Sequence, residues 1–234
     1  MSPHLRGHLL LFDPAPPVAF GAGAGARLFA AAVLLEAVRW GLAGRLQPAA
    51  SRWLLPPILL GCALVSIRLV AGLRFAGIGL RRWRVWTAIE KSYFLQVLVI
   101  ANVVFPIVLA APLRNSLQRS STMGILWGVF VPYLLFGFYQ EVVYRGMVQL
   151  ELIRRWGAPA GVLAANLLYT FGPLHSCYFA ARPSLAVPMF ASIFVIGLFF
   201  GVLFRRSGNL WIVAVFHAIG NAYIVGSLGV GRPQ

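Results

Sequence analysis

The sequence predicts an all-α fold, a polytopic membrane helix bundle of about seven to eight transmembrane helices, on three observations. Of 234 residues, 60% are hydrophobic and 11% charged, with mean hydropathy +0.82. A soluble domain carries about twice that charged fraction. Apolar stretches about 20 residues long recur from Leu28 to Gly229, the length that crosses a hydrocarbon core. The breaks between them join Gly, Pro or Ser to Arg, which is loop chemistry at a membrane surface.

Candidate helices run over 27–46, 53–73, 92–112, 123–149, 158–177, 185–204 and 209–229. The intervening breaks include "LQPAASR", "PLRNSLQRSS", "RRWGAP", "AARPS" and "RRSGN". Residues 1–26 read as an N-terminal arm and 27–230 as a single transmembrane domain. The arm is a poor signal peptide, because its apolar stretch is short and broken by Asp13 and several prolines. Segment 75–91, "FAGIGLRRWRVWTAIEK", alternates aromatic and basic residues and is expected to form an interfacial helix with Trp anchors.

The net charge of +15 comes from 19 Arg and the single Lys91 against 5 acidic residues. These cations fall mainly between apolar runs, so they read as orientation signals and partners of anionic headgroups, and nucleic acid is excluded as a partner. Loops on the side of the N-terminus hold 11 of them and the opposite side 6. The N-terminus is therefore expected in the cytoplasm, and the chain in a bacterial inner membrane. Cys62 and Cys177 show no metal-ligand spacing and are expected to be free buried thiols.

An ionisable side chain inside a span costs about 2.5–3.5 kcal/mol or more, so each one needs a reason. Glu36 and Arg39 are three apart and can pair on one helix face, with Arg68 as a second cation from the next span. This set reads as structural. The second half of the chain differs: Glu141 and Arg145 fall in the fourth span, His175 near the end of the fifth, and His217 with Asn221 in the seventh.

Depth draws these residues together. Glu141 lies 16 residues before the turn at Gly157 and His175 lies 18 after it, which sets them within roughly 3 Å of one level on antiparallel helices. His217 and Asn221 are four apart and share a face. Two chemistries suit such a pocket. In one, the carboxylate and a His deprotonate water while the other His and the Asn hold an oxyanion. In the other, Glu141, His175 and His217 bind a metal such as zinc. A transporter or channel would need a continuous polar path and paired broken helices, neither of which is evident.

These residues carry a resemblance. The sequence resembles the CPBP (CAAX protease and bacteriocin-processing) family of glutamic-type intramembrane proteases, marked by Glu-Glu-x-x-x-Arg, Phe-x-x-x-His and His-x-x-x-Asn/Asp on separate helices. The second motif is intact as "FGPLH", with Phe171 and His175, and the third as "HAIGN", with His217 and Asn221. The first departs from the family: Gln140-Glu141 stands where Glu-Glu is usual, followed by Arg145. Gln cannot act as a base at neutral pH, which leaves Glu141 as the carboxylate.

The resemblance implies an intramembrane endopeptidase without a required cofactor, acting on a membrane-anchored protein or peptide. Carried over, His175 helps activate water, and His217 and Asn221 stabilise the tetrahedral intermediate; with Gln140 at the leading position, Glu141 is expected to serve as the base. Gln140, Arg145 and Phe171 support the pocket. A processor of C-terminal sorting signals, of the myxosortase-like kind, fits the small size and altered first motif. The alternative is a catalytically inactive homologue that binds a membrane peptide or confers immunity.

Overall fold

The computed structural model describes residues 20–43, 45, 48–175, 179–180 and 183–228. They form an all-α bundle in which no strand occurs among the described residues. The first nineteen residues of the expected arm lie outside the described part, and α1, Ala22–Ala43, already covers the arm's end. α2 spans Pro48–Val65 and continues through a wider π turn to Val70. α3 is Ala88–Val108 and α4 Ala110–Arg119. α5 runs unbroken from Thr122 to Trp156, and α6 from Ala158 to Phe171. α7, Ala186–Ser207, and α8, Leu210–Leu228, close the chain.

Four stretches are long and apolar enough to cross a membrane: Trp53–Val70, Ala88–Val108, Thr122–Trp156 and Pro183–Ser207. Ala158–Phe171 and Leu210–Ile224 are apolar but shorter. The chain is an integral membrane protein.

Three local expectations are corrected. The break "PLRNSLQRSS" lies largely within α4, because Leu, Arg, Asn and Gln tolerate helix and only the Ser pair at its end resists it. Segment 75–91 does not form an interfacial helix. It folds as two short 3₁₀ turns, Phe75–Ile78 and Trp83–Val85, before α3 begins at Ala88. Gly79, at φ 89°, breaks the first turn, and its carbonyl accepts from Leu210 N at 2.9 Å. Arg81 bonds Glu90 and donates to Ser207 O at 3.0 Å, while Asn209 Nδ2 donates to Glu90 Oε1 at 3.2 Å. Thr87 and Glu90 form a reciprocal capping box at the start of α3. The segment is thus fastened to the α7–α8 turn, with Trp83, Trp86 and Phe94 clustered beside it.

The third correction concerns α6, which stops at Phe171 and not near 177. Gly172 precedes Pro173 and adopts an extended conformation, φ −68° and ψ −179°, as the proline ring's clash with the preceding residue demands. His175 therefore sits in the turn beyond the helix.

α5 is the centre of the bundle. It packs most extensively on α8 and also meets α1, α2, α6 and α7. Ser121 caps its start by accepting from Gly124 N at 3.0 Å. Gly157, at φ 79°, ends it and lets α6 fold back directly. Residues Val142–Gln149 form a wider π segment immediately after Glu141, a distortion that recurs at functional positions in helices. Everything from Tyr139 to Gln149 is buried, so this stretch is the core of the molecule as well as its most polar span.

Close approach of α5 to α8 depends on Gly137. A Cβ there would lie 2.7 Å from Ala218 Cα and 3.1 Å from Asn221 Nδ2. On α7, Gly197 and Gly201 form a Gly-x-x-x-Gly step that admits neighbouring helices closely. Their carbonyls accept from Arg145 Nη2 at 2.8 Å and from Gln149 Nε2 at 2.9 Å. Asn166 Nδ2 of α6 donates to Phe194 O at 2.9 Å. In a bilayer interior such side chain–backbone bonds replace the hydration these groups would otherwise lose.

Candidate active site

The expected site residues divide between α5, the turn after α6, and α8. Glu141 is fully buried. Its Oε1 accepts from His217 Nδ1 at 2.7 Å, and its Oε2 lies 3.4 Å from Arg145 Nε. That second oxygen has no hydrogen-bond partner. One residue earlier, Gln140 Oε1 accepts from Asn221 Nδ2 at 2.8 Å. Two neighbours on α5 thus pair separately with two residues four apart on α8, the spacing that puts both on one helix face.

Arg145 is also fully buried. Its guanidinium stands beside Glu141, donates to Gly197 O, and lies over the Tyr169 ring at 4.6 Å. A planar, delocalised cation suits a site that needs an ion pair and a ring contact together.

His175 is buried and donates from Nδ1 to Tyr169 O at 2.8 Å. A carbonyl can only accept, so the neutral ring carries its proton on Nδ1 and its lone pair on Nε2. Nδ1 of His217 also carries a proton, since an ionised Glu141 can only accept from it. Phe200 stacks on the His217 ring at 5.2 Å.

Phe171 is a correction. It does not line the site: it is 56% exposed and stacks on Phe190 at 4.5 Å. The physical reason is the helix phase. Asn166, Tyr169 and Thr170 occupy the buried face of α6, and two residues on from Tyr169 the side chain points outward. The thiol expectation also changes, because Cys62 is exposed on α2 and Cys177 lies outside the described residues.

Sequence reasoning missed the tyrosines. Tyr169 touches Arg145, His175 and His217. Tyr139 and Tyr144, which bracket the Gln140-Glu141 pair, donate to the two oxygens of Glu36 at 2.8 and 3.0 Å. Arg39 completes that cluster with bonds of 3.0 to 3.2 Å to the same carboxylate. The Glu36–Arg39 pairing occurs as expected, whereas Arg68 is exposed. One signal was available: Asn166, Tyr169 and Thr170 stand at i, i+3 and i+4 in an otherwise apolar helix, which is one polar face.

Among the described residues no three His, Cys, Asp or Glu side chains are grouped to hold a metal ion. Nδ1 of His175 and Nδ1 of His217 are already committed to a carbonyl and a carboxylate. What the constellation can do by itself is move a proton and stabilise an anion. It offers a buried carboxylate, two oriented imidazoles, a guanidinium and an amide.

Fold and site together define a polytopic membrane protein with a cluster of ionisable and polar side chains buried between its helices. Residues 122–223 match the model of the Rce1-like family, described as type II CAAX prenyl endopeptidase Rce1-like. The match spans all three motifs and runs from α5 into α8, and it is what the chain is similar to. The family is one of membrane peptide hydrolases. Comparison with curated proteins and with solved structures gives no match.

Proposed function

We propose that the chain is an intramembrane endopeptidase that cleaves a membrane-anchored protein or C-terminal sorting signal, a hydrophobic tail followed by basic residues. The observation that carries the reading is Glu141, fully buried, with Oε1 held by His217 and Oε2 bare of hydrogen bonds beside Arg145. A buried carboxylate with one oxygen anchored by a hydrogen bond and the other ion-paired but free of hydrogen bonds is oriented for proton transfer.

In the proposed reaction His175 Nε2 orients the water by accepting a hydrogen bond from it, and Glu141 Oε2 takes its proton as the water oxygen attacks the scissile carbonyl carbon. General bases of this kind contribute typically ~10²–10⁴ in rate. The oxyanion accepts from the Asn221 amide and, in the imidazolium form that this step requires, from His217 Nε2–H, with Nδ1–H held on Glu141. One such donor is worth ~10²–10³ in kcat. The intermediate collapses by breaking the C–N bond, and the leaving amine takes the proton first removed from water. Gln140 orients Asn221 by accepting one of its two N–H groups, leaving the other available. Arg145 holds Glu141 in place through their ion pair. The proposal uses no zinc.

The test is cleavage in proteoliposomes containing the full chain and a reporter with a hydrophobic C-terminal tail and basic end. A prenylated CAAX peptide serves as comparison substrate. Loss of product in Glu141→Gln, His175→Ala and His217→Ala, each still inserted and folded, is the expected result. Full activity of Glu141→Gln overturns the assignment of the base, and absence of product from the unaltered chain on every reporter overturns the enzymatic reading.

A further inference from the structure

We propose that Tyr169 is a positioning residue of this site, a side chain that sets both histidines and the arginine relative to each other; the catalytic part of this inference rests on the reading above. Tyr169 is buried on the inner face of α6, near the end of the helix. Its carbonyl oxygen receives the His175 Nδ1 proton at 2.8 Å. Its ring meets the His175 ring nearly perpendicularly, with centroids 4.7 Å apart and planes at 78°. The same ring meets His217 at 6.0 Å and 80°. Its hydroxyl oxygen lies 3.4 Å from His217 Nε2, and the Arg145 guanidinium covers its ring at 4.6 Å.

The Tyr169 ring thus meets a member of each of the three motif segments: Arg145, His175 and His217. The phenol is rigid, with two rotatable bonds, and its rotation is restrained on several sides. Tyr144 meets it edge-on at 5.3 Å, and Gly197 of α7 lies against its ring, where a Cβ would come within 3.0 Å of Cδ1. The hydroxyl has a property that the ring alone lacks. It donates to Nε2 of neutral His217 and accepts from Nε2–H of the protonated ring, so it can follow the histidine through both states. At 3.4 Å this bond is long for O–H···N, which leaves Nε2 able to turn to a substrate oxyanion. The function of the residue is orientation: a misplacement of 1 Å can cost ~10²-fold in rate.

Two variants separate its parts. Tyr169→Phe removes the hydroxyl and keeps the ring, whereas Tyr169→Leu removes both, and the carbonyl bond to His175 remains in each. The direct readout is imidazole ¹⁵N NMR of histidine-labelled full chain in detergent micelles or nanodiscs, assigned with His175→Ala and His217→Ala. Tyr169→Phe is expected to move the His217 Nε2 signal and leave those of His175 in place. Tyr169→Leu is expected to move the signals of both rings. With a cleavable reporter, Tyr169→Phe lowers kcat about 3- to 10-fold at unchanged KM, and Tyr169→Leu lowers it about 10²-fold.

Histidine signals identical to the unaltered protein in both variants overturn the proposal, as do shifted signals with unchanged kcat. If Tyr169→Leu fails to insert, the His217 signal in Tyr169→Phe decides alone. If the signals move as expected but the unaltered chain cleaves nothing, the arrangement stands and peptide hydrolysis falls.

Discussion

Asn221 donates its side-chain amide to Gln140 Oε1 at 2.8 Å, while the adjacent Glu141 receives His217. The Gln that departs from the family pattern is therefore not idle. It holds the amide whose remaining N–H the proposed oxyanion site needs. Gln140→Glu presents an acceptor oxygen in the same place and is expected to keep the Asn221 bond and to preserve or raise cleavage. Gln140→Ala leaves a buried N–H unpaired, a loss of about 1–3 kcal/mol. It should lower kcat without changing insertion. Steady-state cleavage of the two variants side by side checks both expectations.

Arg145→Lys tests whether charge alone suffices. Lysine lacks the planar fork that stands beside Glu141, reaches Gly197 O and covers Tyr169 at once. Activity is expected to fall by at least ~10-fold, on the scale of one lost charge-assisted bond, while the protein stays folded. Cleavage equal to the unaltered chain would mean that a point charge beside Glu141 is all the site requires.

Gly137→Val should separate α5 from α8. Its Cβ would fall 2.7 Å from Ala218 Cα, a backbone atom that cannot swing away. Overpacking of this kind costs about 1–3 kcal/mol, and here it also displaces Asn221. Thermal unfolding in detergent should fall and cleavage should fall further. Gly128→Ala on the same helix, where nothing lies within 4 Å, is the neutral control.

Glu36→Ala is expected to be more damaging than its distance in sequence suggests. It strands Arg39 and the hydroxyls of Tyr139 and Tyr144 in a buried place. Removing one partner of such a pair costs about 3–5 kcal/mol. Tyr139→Phe and Tyr144→Phe each remove one neutral bond and should cost nearer 1 kcal/mol. The midpoints of thermal unfolding rank the three variants.

Much of this was legible beforehand because charge in hydrocarbon is rare. Glu141, Arg145, His175 and His217 stood out against apolar runs, and Glu36 and Arg39 declared their pairing by spacing. Tyrosine carries no such mark. Tyr139, Tyr144 and Tyr169 read equally well as packing residues or interface anchors until the helices were juxtaposed. Helix ends were legible only in part. Gly157 and Gly208 closed α5 and α7 where punctuation by Gly suggested, but Gly172-Pro173 ended α6 before the apolar run did. That early stop also explains Phe171, whose place in a family motif concealed its outward phase.

The Glu36 cluster bears on where the working unit begins. The family match starts at residue 122, yet the two tyrosines that bracket Gln140-Glu141 are tethered to a carboxylate on α1. A fragment trimmed to the matched segment would keep every motif residue and lose that tether. The smallest portable version of this protein therefore has to start at or before α1, and chimaeras joined between α4 and α5 should exchange the motifs together with their N-terminal brace.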